Sequence, residues 1–278
     1  MTLSLETQTS VHVVSPQSME GETNACFVTS DEGERERERT LQHNLLLKAT
    51  RERQIHIPIK LDEGGAILES GTGSGIWLLD LAKTIPDTSE IIGIDIAPNL
   101  FPQPSTLPLN VKFHVQSVLT LSPEWTNKFD FVHQRLLVLG LREAEWKIAL
   151  SEIYRVLKPG GWVQLVEINN SEESGPMLAM FSKWQKYVKE AGFSDIRLTW
   201  HYSPAGKWAG QEGLKGKKNI LEFMRAVREQ MVKARLEFGF AAGESGFDKL
   251  IEDVEQEFDS HYETRTRYVM ICGRKPIH

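Results

Sequence analysis

Ile67-Leu68-Glu69-Ser70-Gly71-Thr72-Gly73-Ser74-Gly75-Ile76-Trp77 decides the fold. Apolar residues run into an acid, glycine then takes every second place, and a helical pattern follows. This is a buried strand turning sharply into a helix N-terminus, where backbone N–H groups receive a polar ligand. Glycine supplies positive φ and lets a ligand approach where a Cβ would block it. A dinucleotide fingerprint is G-x-G-x-x-G, whereas here the third glycine comes one residue early. G-x-x-x-x-G-K-[ST] does not occur, which argues against an ATP or GTP cradle.

Working outward, the pattern alternates strand and helix. Strands are predicted at Ala66–Glu69, Glu90–Asp95, Val111–Val115, Phe129–His133, Trp162–Glu167, Phe193–Tyr202 and Arg265–Cys272. Helices are predicted at Ser74–Lys83, Glu143–Leu157, Met177–Glu190, Asn219–Phe238 and Gly246–Ser260, with Lys158-Pro159-Gly160-Gly161 stopping the second. Strands alternating with helices imply a Rossmann-like, doubly wound α/β sheet of seven strands. Ligands of such sheets lie at the carboxyl ends of the strands. That rule selects Glu69, Asp95, Ser117, His133 and Glu167 as site-facing.

Before the core, Met1–Gly33 is rich in Ser, Thr, Glu and Gln and is expected to be a disordered tail, with Val11–Val14 as a candidate edge strand. Residues 34–60 form an N-terminal lid helix and loop. There the Glu34–Arg39 run is expected to be a solvated helix face, and Leu41, Leu45 and Ala49 its apolar stripe. Residues 61–170 are the ligand-binding core. Residues 171–278 hold a helical cap, inserted before the last strand, and the strands that complete the sheet.

The 278 residues suit one decorated α/β domain. A formal net charge of −6 disfavours a protein that grips phosphate backbones. Cys26 and Cys272 are too few and too far apart for a disulfide framework or a zinc site, and no metal is expected. No apolar run spans a membrane and the N-terminus lacks a secretory layout, so the expectation is a cytoplasmic protein with nuclear entry left open.

Three features converge: the glycine turn after Glu69, Asp95 closing a strand twenty residues past Gly75, and the Lys158–Gly161 turn. A carboxylate at Asp95 can accept hydrogen bonds from both hydroxyls of a ribose. In this order and spacing they resemble the class I S-adenosylmethionine-dependent methyltransferases. A narrower resemblance, to the fungal LaeA-like group, runs from Glu34 onward. It rests on Leu41-Gln42-His43, Ile57-Pro58-Ile59, the glycine stretch, Phe129-Asp130-Phe131-Val132-His133, Gly160-Gly161-Trp162-Val163, Ala191-Gly192-Phe193 and Gly273-Arg274-Lys275-Pro276. The chain departs from that group between Trp184 and Ala191, where an extra helical stretch is short.

The resemblance implies one antiparallel strand near the sheet edge. It implies S-adenosylmethionine as cofactor and S-adenosylhomocysteine as product, bound by Glu69, Gly71, Thr72, Gly73, Gly75, Asp95, Ile96, Ser117, Val118 and His133. Ser117 stands where the family carries an Asp toward adenine. His133-Gln134-Arg135-Leu136 replaces the [DN]-P-P-[YF] of nucleobase enzymes and no Pro-Cys occurs, so a small organic O, N or S acceptor is expected. An SN2 transfer gains mainly from proximity and alignment, and a hydroxyl acceptor also wants a base. His133 is the candidate base or else a cofactor shelf. Glu167 is the second catalytic candidate or else orients a helix cap. His43, Trp184, His201 and Tyr202 are candidates for the acceptor pocket, each with an ordinary packing role as the alternative. A non-methylating cyclase and a regulator of secondary metabolism are the competing functions, with monomer and homodimer both open.

Overall fold

The structure is a computed structural model and describes residues 32–168, 184–233 and 244–277. Residues 1–31 of the tail, with the Val11–Val14 strand and Cys26, and the first half of the predicted 177–190 helix lie outside the described residues; 184–190 are helical. Strand β1, Ala66–Ser70, is buried at all five positions. A central parallel strand is covered on both faces, so it reads as a continuous apolar run and not as an alternation. Strands β2 (Glu90–Asp95), β3 (Val111–Val115), β4 (Phe129–Arg135), β5 (Leu157–Ile168), β6 (Ser194–Pro204) and β7 (Arg265–Arg274) join it in one sheet of order β3-β2-β1-β4-β5-β7-β6. β7 runs antiparallel to both β5 and β6, while the β1–β2, β2–β3, β1–β4 and β4–β5 pairs are parallel. The strand order therefore reverses beside β1, between β2 and β4, which opens the crevice at the β1 tip.

Successive side chains on a strand point to opposite faces, and the two cores follow that parity. Ile67, Phe131, Val166 and Met270 pack with Leu46, Trp77 and Leu81 on one face. Leu68, Val132, Leu165 and Ile271 pack on the other with Trp146, Leu150 and Ile153. The first face is covered by α2 (His43–Ala49) and α3 (Ile76–Leu81), the second by α4 (Glu143–Val156). Ahead of α2, helix α1 (Glu32–Arg37) passes through a π-helical stretch, Glu38–Gln42.

Three boundaries differ from expectation for identifiable reasons. The helix after the glycine turn begins only at Ile76, because Gly75 stays left-handed at φ 70°. β5 opens with Leu157 opposite Phe129 and then slips to Trp162 opposite Phe131, so Lys158–Gly161 loops out of the ladder. Helix α5 (Gly210–Lys233) starts nine residues before the predicted Asn219. Gly213 and Gly216 hid that start, since glycine disfavours helices. Both are needed, because a Cβ there would fall 2.0 Å from the Gly206 and Pro204 carbonyl oxygens. Helix α6 (Glu244–Ser260) packs on α5, and both lie between β6 and β7 in the chain. No described helix is long and apolar enough to cross a membrane.

Candidate active site

The turn at the β1 tip is tied to β2 through its own backbone. Thr72 N–H donates to the Ile94 carbonyl at 2.9 Å. Gly73 N–H donates to Asp95 Oδ2 at 2.9 Å, and Ala97 N–H to Asp95 Oδ1 at 3.1 Å. Burial holds the Asp95 carboxyl above its ordinary range although those donors pull it down. Asp95 thus sits where β2 meets the loop, with one backbone donor on each oxygen and further lone pairs left for a ligand. Ile96 beside it is exposed. Gln116 N–H reaches the Asp95 carbonyl at 2.9 Å, which brings the Ser117-Val118 turn alongside. Val118 is buried, and Ser117 Oγ accepts from Leu119 N–H at 3.2 Å.

Beneath the loop lies a buried ionisable chain. Glu69 pairs in register with His133 across β1 and β4. Its Oε2 accepts from the Thr72 hydroxyl at 2.5 Å, and its Oε1 lies 3.3 Å from His133 Nδ1 and 4.0 Å from Arg135 Nε. Arg135 also stands 3.3 Å from His43 Nδ1, and His43 Nε2 lies 3.3 Å from Asp80 Oδ2. The His133 ring stacks on Trp77 at 3.8 Å and 8°. Burial first, then the Arg135 guanidinium, pushes His133 well below the ordinary imidazole range, so it is neutral. His43 is lowered for the same two reasons, against the pull of Asp80. Burial pushes the Glu69 carboxyl up to about 7, over the opposing Arg135 and Thr72. His43, Trp77, His133 and Arg135 line one crevice between the lid and the sheet, with Gln54 and Gln164 on its floor.

Four predicted residues are elsewhere. Glu167 follows Val166, the register partner of Arg135, and therefore points to the opposite face. Both its oxygens accept 3.0 Å hydrogen bonds, from Leu137 and Val138 N–H, and it is 1 % exposed. Burial pushes it up to about 8 over those two donors. It braces the turn after β4, where Leu136 takes φ 57°, and does not face the crevice. Trp184 is 1 % exposed against Trp146, with ring centroids 4.9 Å apart, in the core and not in a pocket wall. His201 lies on β6, three strands from β4 or roughly 14 Å at ordinary strand spacing. There it meets the Ala49 carbonyl at 3.2 Å and the His56 ring. Tyr202 is exposed under the Arg265 guanidinium.

Arg135, Trp77 and Glu38 were not singled out by sequence reasoning. The Glu-Arg run is not a solvated face. Arg37 is buried and donates to Asn219 Oδ1 at 2.7 Å, with Phe223 under its guanidinium. Glu38 Oε2 accepts from Ser74 N–H at 2.8 Å, and Arg35 donates to the Asn99 and Leu100 carbonyls. A signal existed: six consecutive charges at ~100° per residue encircle a helix, so some of them must point inward.

The comparisons agree with this geometry. The methyltransferase-domain family matches residues 67–161. The N-methyltransferase sirN of Leptosphaeria maculans is 30% identical over 88% of this chain and 94% of its own length. The N-methyltransferase gliN of Aspergillus fumigatus is 28% identical over 90% and 96%. The secondary metabolism regulator laeA of Aspergillus flavus is 29% identical over 50% of this chain and 37% of its own. Among solved structures, the methyltransferase complexed with the Trm112 activator of Haloferax volcanii superposes with a TM-score of 0.50 at 17% identity, covering 90% of this chain and 95% of that one. The chain belongs to the class I S-adenosylmethionine-dependent methyltransferases. It is an enzyme of that class, and S-adenosylmethionine is its cofactor.

Proposed function

We propose that the protein methylates a nitrogen of a small organic molecule, a fungal secondary metabolite. The observation that carries the reading is the glycine turn bound through Gly73 N–H to Asp95, directly above the Glu69–His133 pair. These residues fit the cofactor's chemistry. Gly73, already approached by the Glu38 carboxylate, presents backbone that a Cβ would cover, and Asp95 keeps lone pairs for two hydroxyls. In this reading Glu69, Gly71–Gly75, Asp95, Ile96, Ser117, Val118 and His133 hold the cofactor, which supplies an activated methyl sulfonium. The lid at 34–60 and the helices between β6 and β7 enclose the acceptor. Nitrogen is favoured over oxygen or sulfur because sirN and gliN are named N-methyltransferases and cover nearly this whole chain.

A nitrogen attacks only with its lone pair free, so the acceptor must enter neutral or lose a proton first. The crevice has a neutral imidazole at His43 and another at His133. Of the two, His43 belongs to the lid and faces Arg135, while His133 is held by Trp77 and Glu69. Arg135 can only donate to His43 Nδ1, which leaves Nε2–H to donate to Asp80, so His43 has no lone pair free for a proton; the acceptor nitrogen enters neutral and His133 is the shelf. Incubation with isotope-labelled S-adenosylmethionine and a panel of amine and amide metabolites tests the reading. The expected product is one CH2 heavier, with the label on nitrogen in its fragments. Label on oxygen or sulfur overturns the nitrogen assignment, and a product of unchanged mass overturns methyl transfer.

A further inference from the structure

Methyl transfer leaves the Glu34–Arg39 run unused, yet one of its carboxylates sits on the glycine loop. Glu38 opens the π-helical stretch of the lid, a rare geometry that often marks functional positions. Ser74 N–H donates to Glu38 Oε2 at 2.8 Å. A Cβ on Gly73 would fall 2.7 Å from Glu38 Oε2 and 2.8 Å from Oε1. The carboxylate thus rests directly on the Gly73 backbone, an approach only glycine permits. Arg37, one residue back, is buried against Asn219 and Phe223 of α5 and fixes the segment from behind.

The cofactor's amino-acid end carries an ammonium, which needs an oxygen acceptor. Asp95 already receives Gly73 and Ala97 N–H and is placed for the ribose. Glu69 is wholly buried under the loop, between Thr72 and His133. Glu38 is half-buried and comes to the loop from the lid side, so it can meet a ligand lying across Gly73. We propose that Glu38 is the counter-charge for the α-ammonium of the cofactor, making the lid helix itself part of the cofactor site. The inference rests on the cofactor being S-adenosylmethionine.

Calorimetry on the full chain with two ligands tests it. S-adenosylhomocysteine carries the ammonium. 5′-Methylthioadenosine keeps the adenosine and the sulfur and lacks the amino-acid end. Glu38→Gln preserves an oxygen for Ser74 N–H and removes the charge. The variant should bind S-adenosylhomocysteine about tenfold or more weakly, the usual effect of losing a charge-assisted bond. Its affinity for methylthioadenosine should match wild type, which also shows that the variant is folded. Equal losses for both ligands would make Glu38 a structural wall and overturn the proposal. So would an unchanged affinity, or tighter S-adenosylhomocysteine binding, which would mean that Glu38 competes with the ligand's own carboxylate for Ser74 N–H. If wild type binds neither ligand, the cofactor reading itself fails, which is a separate result.

Discussion

Glu69 gives the sharpest quantitative test of the buried ionisable chain. Its carboxyl is raised from an ordinary 4.5 to about 7, with burial as the largest cause. A carboxyl raised on folding stays protonated in the native state while the unfolded chain ionises. Stability from this group is therefore complete below pH 4.5 and is lost as the pH climbs through about 7. The rise from 4.5 to about 7 corresponds to about 3 kcal/mol at most. Between pH 5 and pH 8 most of that stability is lost, about 2 to 3 kcal/mol. Glu69→Gln removes this titration and keeps the size of the side chain. Urea unfolding of both proteins across that range should show wild type losing about 2 to 3 kcal/mol relative to the variant. The slope is the readout, not the offset. Arg135 stays charged throughout, and its attraction for the Glu69 carboxylate is already contained in the wild-type titration, so any pH-independent difference between the two proteins moves only the offset. Parallel curves would refute the reasoning. They would mean that Arg135, 4.0 Å away, and the Thr72 hydroxyl keep Glu69 ionised against its burial.

Three more outcomes follow from the geometry. Asp95→Ala frees the Gly73 and Ala97 N–H groups and removes the ribose acceptor, so S-adenosylhomocysteine affinity should fall by at least about thirtyfold in calorimetry; unaltered binding would remove Asp95 from the site. Gly75→Ala places a Cβ 2.4 Å from Phe113 Cζ at φ 70° and should cost about 3 kcal/mol, with Phe113→Leu restoring the steric part in the double variant's thermal unfolding. Glu167→Gln replaces one of two acceptors with a donor and should cost about 1–3 kcal/mol of stability while leaving the pH profile of methyl transfer unchanged. Loss of turnover at unchanged melting temperature would return Glu167 to the catalytic set.

How much was legible depended on whether a signal was local. Strands β1, β2, β4 and β5 could be read because a strand covered on both faces is largely apolar, and polar turns bound each one. The glycine turn and Asp95 could be read because backbone conformation and charge are carried by adjacent residues. Facing was harder to read. His133 and Glu167 both lie near strand tips, and the tip rule treats them alike. Register separates them: His133 stands opposite Glu69 under the lid, while Glu167 is offset by one from Val166, the partner of Arg135. One residue of offset moves a side chain to the other face of the sheet, and no single strand's sequence states its register with the next. Trp184 was misplaced for a related reason. Its partner Trp146 lies on α4, thirty-eight residues earlier, and only the packed sheet brings the two rings together.

The charge run shows what local reading loses when one segment serves two neighbours. Arg37 and Glu38 are adjacent, yet Arg37 binds Asn219 of α5 while Glu38 binds the glycine loop. Lys48 of α2 adds a second tie to α5, an ion pair with Glu212 at 2.7 Å. That exposed pair contributes little on its own, about 0–1 kcal/mol. The buried Arg37 contact contributes more, because losing a charged donor's hydrogen bond to Asn219 costs about 1.5–3 kcal/mol. Lifting Glu38 from Ser74 while α5 stays in place would incur that penalty; moving the lid and α5 together would not. The lid segment on the glycine loop and α5 are therefore tied through Arg37–Asn219 and Lys48–Glu212, and displacing either one alone strains both contacts.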